Sequence, residues 1–456
     1  MKNLPSSKAD HQKLSSGDLD VLVVGGGIVG AGVARDAAMR GLRTCLVEQS
    51  DFASGTSSRS TRLLHGGIRY LAQGRVGLVR EASKEKTVLH RIAPHLADPL
   101  AFIFPTFKHV GLPKWKLSVG VKLYDWLCGR RNLGPSSRMT PEQTLAMLPE
   151  LSEHGLTGAV RYFDGLTNDS RLVLDTLRSA ARHEAALHNY VRFTEAKPSD
   201  GHWQCELHDL RSETQQIVRT RCLVNATGPW SDRIPNAKTS LRLTKGVHLV
   251  IDRSRLTVPD AVVITEDDRL LFAIPWGERI ILGTTDTDYS GPLDDPRCEE
   301  EDTEYVLESA NQSFPKAHLT KSDVISTWAG LRPLVADPHG DPSDISRRHE
   351  ITMSHPGWWD VTGGKLTTYR LMAEETVNAM VRHLRISAAE CRTATEKLLP
   401  ENETDRVSSI LPPEVSESAV QHFCRSEWAR HLDDVMIRRT SWCYYHREHL
   451  EIAQRV

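Results

Sequence analysis

The chain opens on a polar stretch, Met1–Ser16, that predicts a disordered tail, and its first apolar block is Asp20-Val21-Leu22-Val23-Val24. A short, nearly continuous apolar run of this kind suits a strand buried on both faces of a parallel sheet. The Ala-rich segment Ile28–Arg40 then closes at Gly41, as a helix followed by a C-terminal glycine does. Thr44-Cys45-Leu46-Val47-Glu48 predicts a second strand, which completes one βαβ unit. A Gly/Ser/Arg-rich loop, Ser54–Gly67, precedes a long helical stretch over Val76–Ile92. Asn168-Asp169-Ser170 predicts the cap of a helix over Arg171–Ala181, with Leu172, Val173, Thr176, Leu177 and Ala180 on its apolar face.

The periodicity then changes. Strands are expected around Cys205–Leu207 and Cys222–Asn225. From Leu243 to Tyr289 the pattern is β, with runs at Val247–Ile251, Leu270–Ile274 and Arg279–Gly283 and a turn at Gly277-Glu278. This predicts an antiparallel sheet separate from the first unit. A last helix over Tyr369–Leu384 is followed, from about Ala388, by helical, charged sequence.

Composition narrows the class. A chain of 456 residues is too long for one ordinary core. A formal net charge of −2 makes no electrostatic case for nucleic acid as a partner. None of the eight cysteines forms a C-x-x-C pair, which argues against a zinc site or redox dithiol and suits a reducing compartment. Met1–Gly17 lacks the apolar core of a secretory signal, and no uncharged apolar run approaches the ~18 residues that span a bilayer. The expected location is the cytoplasm, or the cytoplasmic face of a membrane that the chain does not cross.

The chemistry begins at Gly25-Gly26-Gly27-Ile28-Val29-Gly30, a G-x-G-x-x-G between a predicted strand and helix. Gly25 permits the tight turn, Gly27 lets the backbone approach a pyrophosphate, and Gly30 lets the helix pack close to the strand. The pyrophosphate then meets free N–H groups and the positive end of the helix dipole. Glu48, at the end of the second strand, can accept hydrogen bonds from ribose hydroxyls, and its charge disfavours the 2′-phosphate of NADP. Two later segments favour FAD over NAD. Leu223-Val224-Asn225-Ala226-Thr227-Gly228 is a strand ending in A-T-G, suited to pass the dinucleotide. Asp360-Val361-Thr362-Gly363-Gly364-Lys365 is a small-residue turn that can bring a helix N-terminus against a flavin pyrimidine.

With these stand longer strings: Thr56-Ser57-Ser58, Leu64-His65-Gly66-Gly67-Ile68-Arg69-Tyr70-Leu71, Asn225-Ala226-Thr227-Gly228-Pro229-Trp230 and Lys245-Gly246-Val247-His248. They continue with Gly283-Thr284-Thr285-Asp286, Gly330-Leu331-Arg332-Pro333-Leu334 and Gly363-Gly364-Lys365-Leu366-Thr367-Thr368-Tyr369-Arg370. In this order, over roughly 20–372, they resemble the FAD-dependent glycerol-3-phosphate dehydrogenases of the aerobic, quinone-linked type. Arg438-Arg439-Thr440 resembles a motif of that family's C-terminal helical domain, although the chain stops soon after it.

The resemblance implies an α/β fold in which a discontinuous, doubly wound, Rossmann-like FAD-binding domain (about 17–75, 150–232 and 345–387) carries an antiparallel-sheet substrate domain (about 76–149 and 233–344). A shortened C-terminal helical domain, 388–456, follows. It implies oxidation of sn-glycerol 3-phosphate to dihydroxyacetone phosphate, with FAD contacted by Gly25, Gly27, Gly30, Glu48, Thr56, Ser57, Ser58, His65, Gly66, Gly67, Ala226, Thr227, Gly228 and the segment Gly363, Gly364, Lys365, Leu366, Thr367. A dianionic phosphate wants fixed cations, for which Arg332, Arg69, Lys365 and, matching less closely, Arg347 are candidates, with a hydroxyl contact from Tyr70. A neutral histidine is the natural base for the C2 hydroxyl proton, and His65 and His248 both fall in the matching strings. Arg332 and Lys365 complete the expected catalytic set.

No Fe–S or haem spacing is present, so the electron acceptor must come to the flavin. Membrane quinone is the expected acceptor and oxygen the alternative. Lys114-Trp115-Lys116-Leu117 through Tyr124-Asp125-Trp126-Leu127-Cys128-Gly129-Arg130-Arg131 mixes aromatic, aliphatic and basic residues, and suits either a bilayer interface or a packed amphipathic helix. A homodimer is among the assemblies the resemblance allows. The rival readings are an FAD-dependent 2-hydroxy acid or amino acid dehydrogenase and, outside enzymes, a flavin-binding regulatory protein.

Overall fold

A computed structural model describes residues 18–67, 74–108, 113–128, 133–266, 269–335 and 349–456. The expected tail and the candidates Arg69, Tyr70 and Arg347 lie outside these residues, as do Arg130 and Arg131.

Two sheets organise the chain. In the first, Trp358–Thr362, Thr214–Asn225, Leu19–Val24, Thr44–Glu48 and Ala186–Asn189 lie side by side in parallel, and Glu350–His355 adds an antiparallel edge. Apart from Asp20 the leading strand is apolar on both faces, and the alternation sorts its residues. Val21 and Val23 join the core under the helices Ile28–Met39, Asp169–Arg182 and Tyr369–Leu384. Leu22 and Val24 face the opposite core with Cys45, Val47, Trp203, Leu207 and Val218. That second face is covered by an antiparallel ribbon, Val191–Ser199 with His202–Asp209, which continues into Thr214–Asn225. Helices therefore cover one face and β-structure the other, where a doubly wound sheet would carry helices on both. The reason is local: after Asn189 the chain returns through hairpins whose alternating Phe193, Trp203, Cys205 and Leu207 bury a full sheet face.

The second sheet runs in spatial order Leu241–Asp252, Arg279–Gly283, Arg269–Trp276, Ala261–Glu266, Asp98–Phe107, Leu156–Leu166, with Val324–Val335 on the outer side of Leu241–Asp252. It is antiparallel except where Ala261–Glu266 runs parallel to Asp98–Phe107. Leu156–Leu166 pairs along the whole of Asp98–Phe107, so this sheet takes in chain beyond 149, the boundary expected from sequence. Leu63–Leu64, from the Gly/Ser-rich loop, pairs with its far end. The two sheets are thus joined through the loop that follows the βαβ unit.

The C-terminal segment is less helical than its charge pattern predicts. It contains short helices at Glu401–Thr404, Glu417–Ser426, Trp442–Tyr445 and His449–Arg455, and a π-helical turn at Asp434–Arg439. Many of its charges are buried against the rest of the chain. Glu427, fully buried, takes both guanidinium nitrogens of Arg171 at 2.6 and 2.9 Å, and Leu398 and Leu399 enter the core under the first sheet. A charged sequence that buries its charges in ion pairs with distant elements does not show a helical face pattern, because its polar side is not solvated.

Candidate cofactor cleft and substrate face

The cleft forms where the βαβ turn meets the returning strand. Gly25 has φ +110°, and a Cβ there would lie 2.6 Å from the Ala226 carbonyl oxygen, so only glycine admits the A-T-G strand so close. A Cβ at Gly30 would lie 1.9 Å from the Gly25 carbonyl, which is the close helix–strand packing expected of the third glycine. Gly27 differs. Its nearest neighbour is Ser57 Oγ, at 3.2 Å from a built Cβ, and it faces open space at the start of the helix Ile28–Met39. The Ile28 amide donates to Ser57 Oγ at 3.0 Å. However, no acidic residue stands in that helix's first turn and Gly27 offers no side-chain cap, so the positive end of the dipole carries no protein charge to compete with an anionic ligand.

The resulting cleft encloses about 590 Å³ and is lined by Gly25, Gly27, Glu48, Thr56, Ser57, Ala226, Thr227, Gly228, Gly363, Gly364, Lys365 and Leu366. Residues from four distant parts of the sequence thus meet on one cavity of the size small-molecule sites have. Ser58 is buried behind it, and Gly30 lies beneath it. The carboxylate of Glu48 accepts from the Gly26 amide at 2.7 Å and the Ser50 amide at 2.9 Å, which fixes its orientation at the strand end. Burial raises its pKa, against the lowering effect of these amides. A cleft lined by a glycine turn at a helix N-terminus, an oriented acid and a second glycine turn fits an FAD.

Sequence reading missed part of the lining: Asp51, Arg192, Phe193, Trp230 and Arg438 all face the cleft. Of these, only Trp230 and Arg438 fell in matching strings, and neither was read there as a cofactor contact.

His65, Gly66, Gly67 and Thr367 lie beside the cleft as a second group. His65 N donates to Thr367 Oγ1 at 3.1 Å and the hydroxyl returns a bond to His65 O at 3.2 Å, which joins the two strings back to back. The Gly66 amide donates to Tyr124 Oη at 3.0 Å. That hydroxyl also accepts from Lys86 Nζ at 3.1 Å and donates to Asp164, itself 2.7 Å from Lys86 Nζ, so a fully buried Lys–Tyr–Asp cluster holds the loop from below.

His248 and Arg332 occupy the two long paired strands of the second sheet, where His248 stands opposite Trp328 and Thr244 opposite Arg332. Three bonds tie these strands to the cleft loop: Thr56 Oγ1 to Leu331 O at 2.6 Å, Trp328 Nε1 to Ser60 O at 3.2 Å, and the Thr61 hydroxyl with His248 Nε2 at 2.9 Å. Arg332 lies across Gly246, where a Cβ would meet its guanidinium at 2.3 Å. It donates to Thr284 Oγ1 at 3.0 Å, Thr285 O at 3.2 Å and Asp286 at 3.1 Å. His248 is 1% exposed and its Nδ1 has no hydrogen-bond partner among the described residues. Burial, then the charges of Arg332 and Arg62, hold its pKa well below the usual histidine value, so the ring is neutral.

A parallel sheet with a glycine-rich βα turn and a cleft whose lining fits FAD, joined by its own loop to a largely antiparallel sheet, defines a flavin-dependent oxidoreductase. The sequence profile described as FAD dependent oxidoreductase matches residues 20–378, and the chain belongs to that family, with FAD as its cofactor. It is similar, at 38% identity over 394 residues (84% of this chain, 71% of the relative), to the aerobic glycerol-3-phosphate dehydrogenase of Staphylococcus aureus strain USA300. Among solved structures, the glycerol-3-phosphate dehydrogenase from Bacillus halodurans complexed with FAD superposes with a TM-score of 0.80 at 29% identity, covering 100% of this chain and 92% of that one. The L-alpha-glycerophosphate oxidase from Mycoplasma pneumoniae shares the fold, with a TM-score of 0.67 at 16% identity, over 84% of this chain and 99% of that one.

Proposed function

We propose that this chain oxidises sn-glycerol 3-phosphate to dihydroxyacetone phosphate and passes the electrons to a membrane quinone. The observation that carries the reading is the pair Arg332 and His248: a half-buried guanidinium and a buried neutral imidazole on adjacent strands, which are tied through the Leu331 carbonyl and the His248 ring to the loop that walls the FAD cleft. Bound FAD supplies the hydride acceptor. Arg332 offers its fork to the phosphate, with Lys365 at the second glycine turn as a further cation, and the Nδ1 of His248, without a hydrogen-bond partner among the described residues, is the base this reading assigns to the C2 hydroxyl proton. His248 is favoured over His65 because burial keeps it neutral, whereas His65 serves through its backbone in the bonds to Thr367. The names of the relatives support the substrate. Arg69, Tyr70 and Arg347 remain proposed substrate contacts on the strength of the resemblance.

Membrane docking is part of the same reading. The helix Lys114–Cys128 buries Leu117, Val121 and Tyr124 while Trp115, Val119 and Trp126 stand 63%, 59% and 75% exposed along the opposite side. Three large apolar groups on one helical face, interleaved with Lys116 and Lys122, suit the interface of an anionic bilayer on the cytoplasmic face. No helix among the described residues is long and apolar enough to cross a membrane.

Anaerobic mixing of the yellow protein with glycerol 3-phosphate tests the proposal. Rapid bleaching of the flavin by this substrate, and not by 2-hydroxy acids or amino acids, is expected. Bleaching by a hydroxy acid alone would move the chain to the rival reading, and no bleaching by any of them would leave a binding protein.

A further inference from the structure

The wall of the cleft that carries Glu48 is not held by its own neighbours in sequence. Asp51, 1% exposed, stands three residues beyond Glu48, and its carboxylate receives both arginines of the C-terminal pair. Arg438 Nε donates to Oδ2 at 2.5 Å. Arg439 grips the same carboxylate through both terminal nitrogens, Nη2 at 2.9 Å from Oδ1, across 388 positions of chain. Asn189 Nδ2 adds a bond to Oδ1 at 3.0 Å and a second to Trp428 O at 2.9 Å. Arg439 is itself fixed by Glu427 O at 2.6 and 3.1 Å, and Arg438 by Asp433 and Asp434. Tyr190, whose amide donates to Ser50 O at 3.0 Å, places its hydroxyl 2.7 Å from Asp434. Phe52 meets the Trp428 ring edge to face at 5.4 Å. Ser50 and Asp51 are thus bonded, and Phe52 packed, against the segment 427–439 or the pair Asn189 and Tyr190 that this segment also holds.

The backbone geometry serves this convergence. Arg438 and Arg439 are consecutive, and both reach one carboxylate from a π-helical turn closed by Thr440 N to Val435 O at 3.1 Å. The consequence reaches the cofactor through two short steps. The Ser50 amide orients Glu48, and Ala53 N donates to Gly26 O at 3.0 Å, so the loop sets both the acid and the glycine turn. Arg438 also lines the cleft directly.

We propose that the segment 427–439 is the clasp of the FAD cleft, with Arg439 as a positioning residue that fixes the Asp51 loop and through it Glu48. The role of the C-terminal segment is then cofactor retention, separate from substrate recognition at Arg332. The test uses the full chain stripped of FAD and reloaded. Arg439→Met and Asp51→Asn are expected to raise the FAD dissociation constant, read by flavin fluorescence, by about tenfold to a hundredfold, the range of one charge-assisted contact. Arg439→Lys, which keeps the charge without the fork, recovers part of that loss. In the wild-type protein, hydrogen–deuterium exchange should show residues 49–55 and 427–439 gaining protection together when FAD is added. This measurement stands even if a variant fails to fold. Unchanged FAD affinity in Arg439→Met, or protection of 49–55 on FAD addition without any change in 427–439, overturns the proposal.

Discussion

Trp328 lies against His248 with ring centroids 5.1 Å apart and planes 19° from parallel. The far side of this pair is charged: the Arg62 guanidinium sits 4.4 Å from the Trp276 ring and 5.4 Å from that of Trp328, and is itself buried. A proton on His248 would enter a buried site beside two arginines, Arg332 and Arg62. The unfolded chain, with an ordinary histidine pKa near 6.5, binds this proton more readily than the folded one. Stability from this group is therefore present above about pH 6.5 and is lost progressively as pH falls below it, by up to about 1.4 kcal/mol per pH unit. Thermal unfolding of wild type and His248→Gln between pH 7.5 and 5 should show a steeper fall for wild type. Parallel curves would mean that His248 titrates normally in the folded state.

The two glycines of the βα turn should fail differently. Gly27 has a helix-cap backbone at φ −79°, which alanine adopts, and a methyl there meets only Ser57 Oγ at 3.2 Å. Gly27→Ala should fold with little loss of stability and bind FAD weakly, since its methyl intrudes on the cleft. Gly30→Ala puts a methyl 1.9 Å from a backbone carbonyl, so it should lower the melting temperature of the protein even without FAD. Apo-protein melting and flavin content, measured on both variants, separate the two effects. Full FAD content in Gly27→Ala would contradict the place given to Gly27.

These contrasts show how much could be read in advance. Gly25, Gly30 and Glu48 were legible because each meets a local demand, a turn, a close packing or a strand end, that leaves a mark within a few residues. The helices Val76–Ile92 and Tyr369–Leu384 were legible from periodicity and have those bounds in the structure. What escaped is long-range. The bonds of Asp51 to Arg438 and Arg439, of Arg171 to Glu427, and of Tyr124 to Gly66 pair residues with no shared periodicity. The strand Leu156–Leu166 was missed because its alternation is broken by buried Asp164. Asp164 is there for Lys86 and Tyr124, so a polar residue on the buried side records the loop support and hides the strand.

The helix Lys114–Cys128 offers a further test, because its two faces have separate partners. Trp115 and Trp126 face outward, while Tyr124 holds the Gly66 amide beside the cleft. Replacing both tryptophans by alanine should abolish flotation with anionic vesicles and leave FAD content unchanged. Wild-type flotation should weaken in about half-molar salt, as surface charge attraction does. Flotation that survives both the substitutions and the salt would assign the anchor to another surface.

The substrate assignment rests most directly on Arg332. Its guanidinium is already bonded to Thr284, Thr285 and Asp286, so it is held in place before any ligand arrives. A preorganised cation gives more of its contact energy to binding, since less side-chain entropy is lost. Arg332→Ala should lower kcat/KM for glycerol 3-phosphate by about one to two orders of magnitude, matching a charge-assisted contact of roughly 1.5–3 kcal/mol. Activity on unphosphorylated glycerol, which never uses the contact, should scarcely change. Flavin content should stay at the wild-type level, because the bond from the Thr56 hydroxyl to the Leu331 carbonyl does not involve this side chain. The variant also takes the Arg332 charge away from Asp286, whose own charge opposes a phosphate, so Arg332→Ala with Asp286→Asn should recover a part of the loss. Equal proportional losses on both alcohols would place Arg332 in the chemical step instead, and the phosphate would then have to be gripped by Lys365 and by residues beyond Gly67.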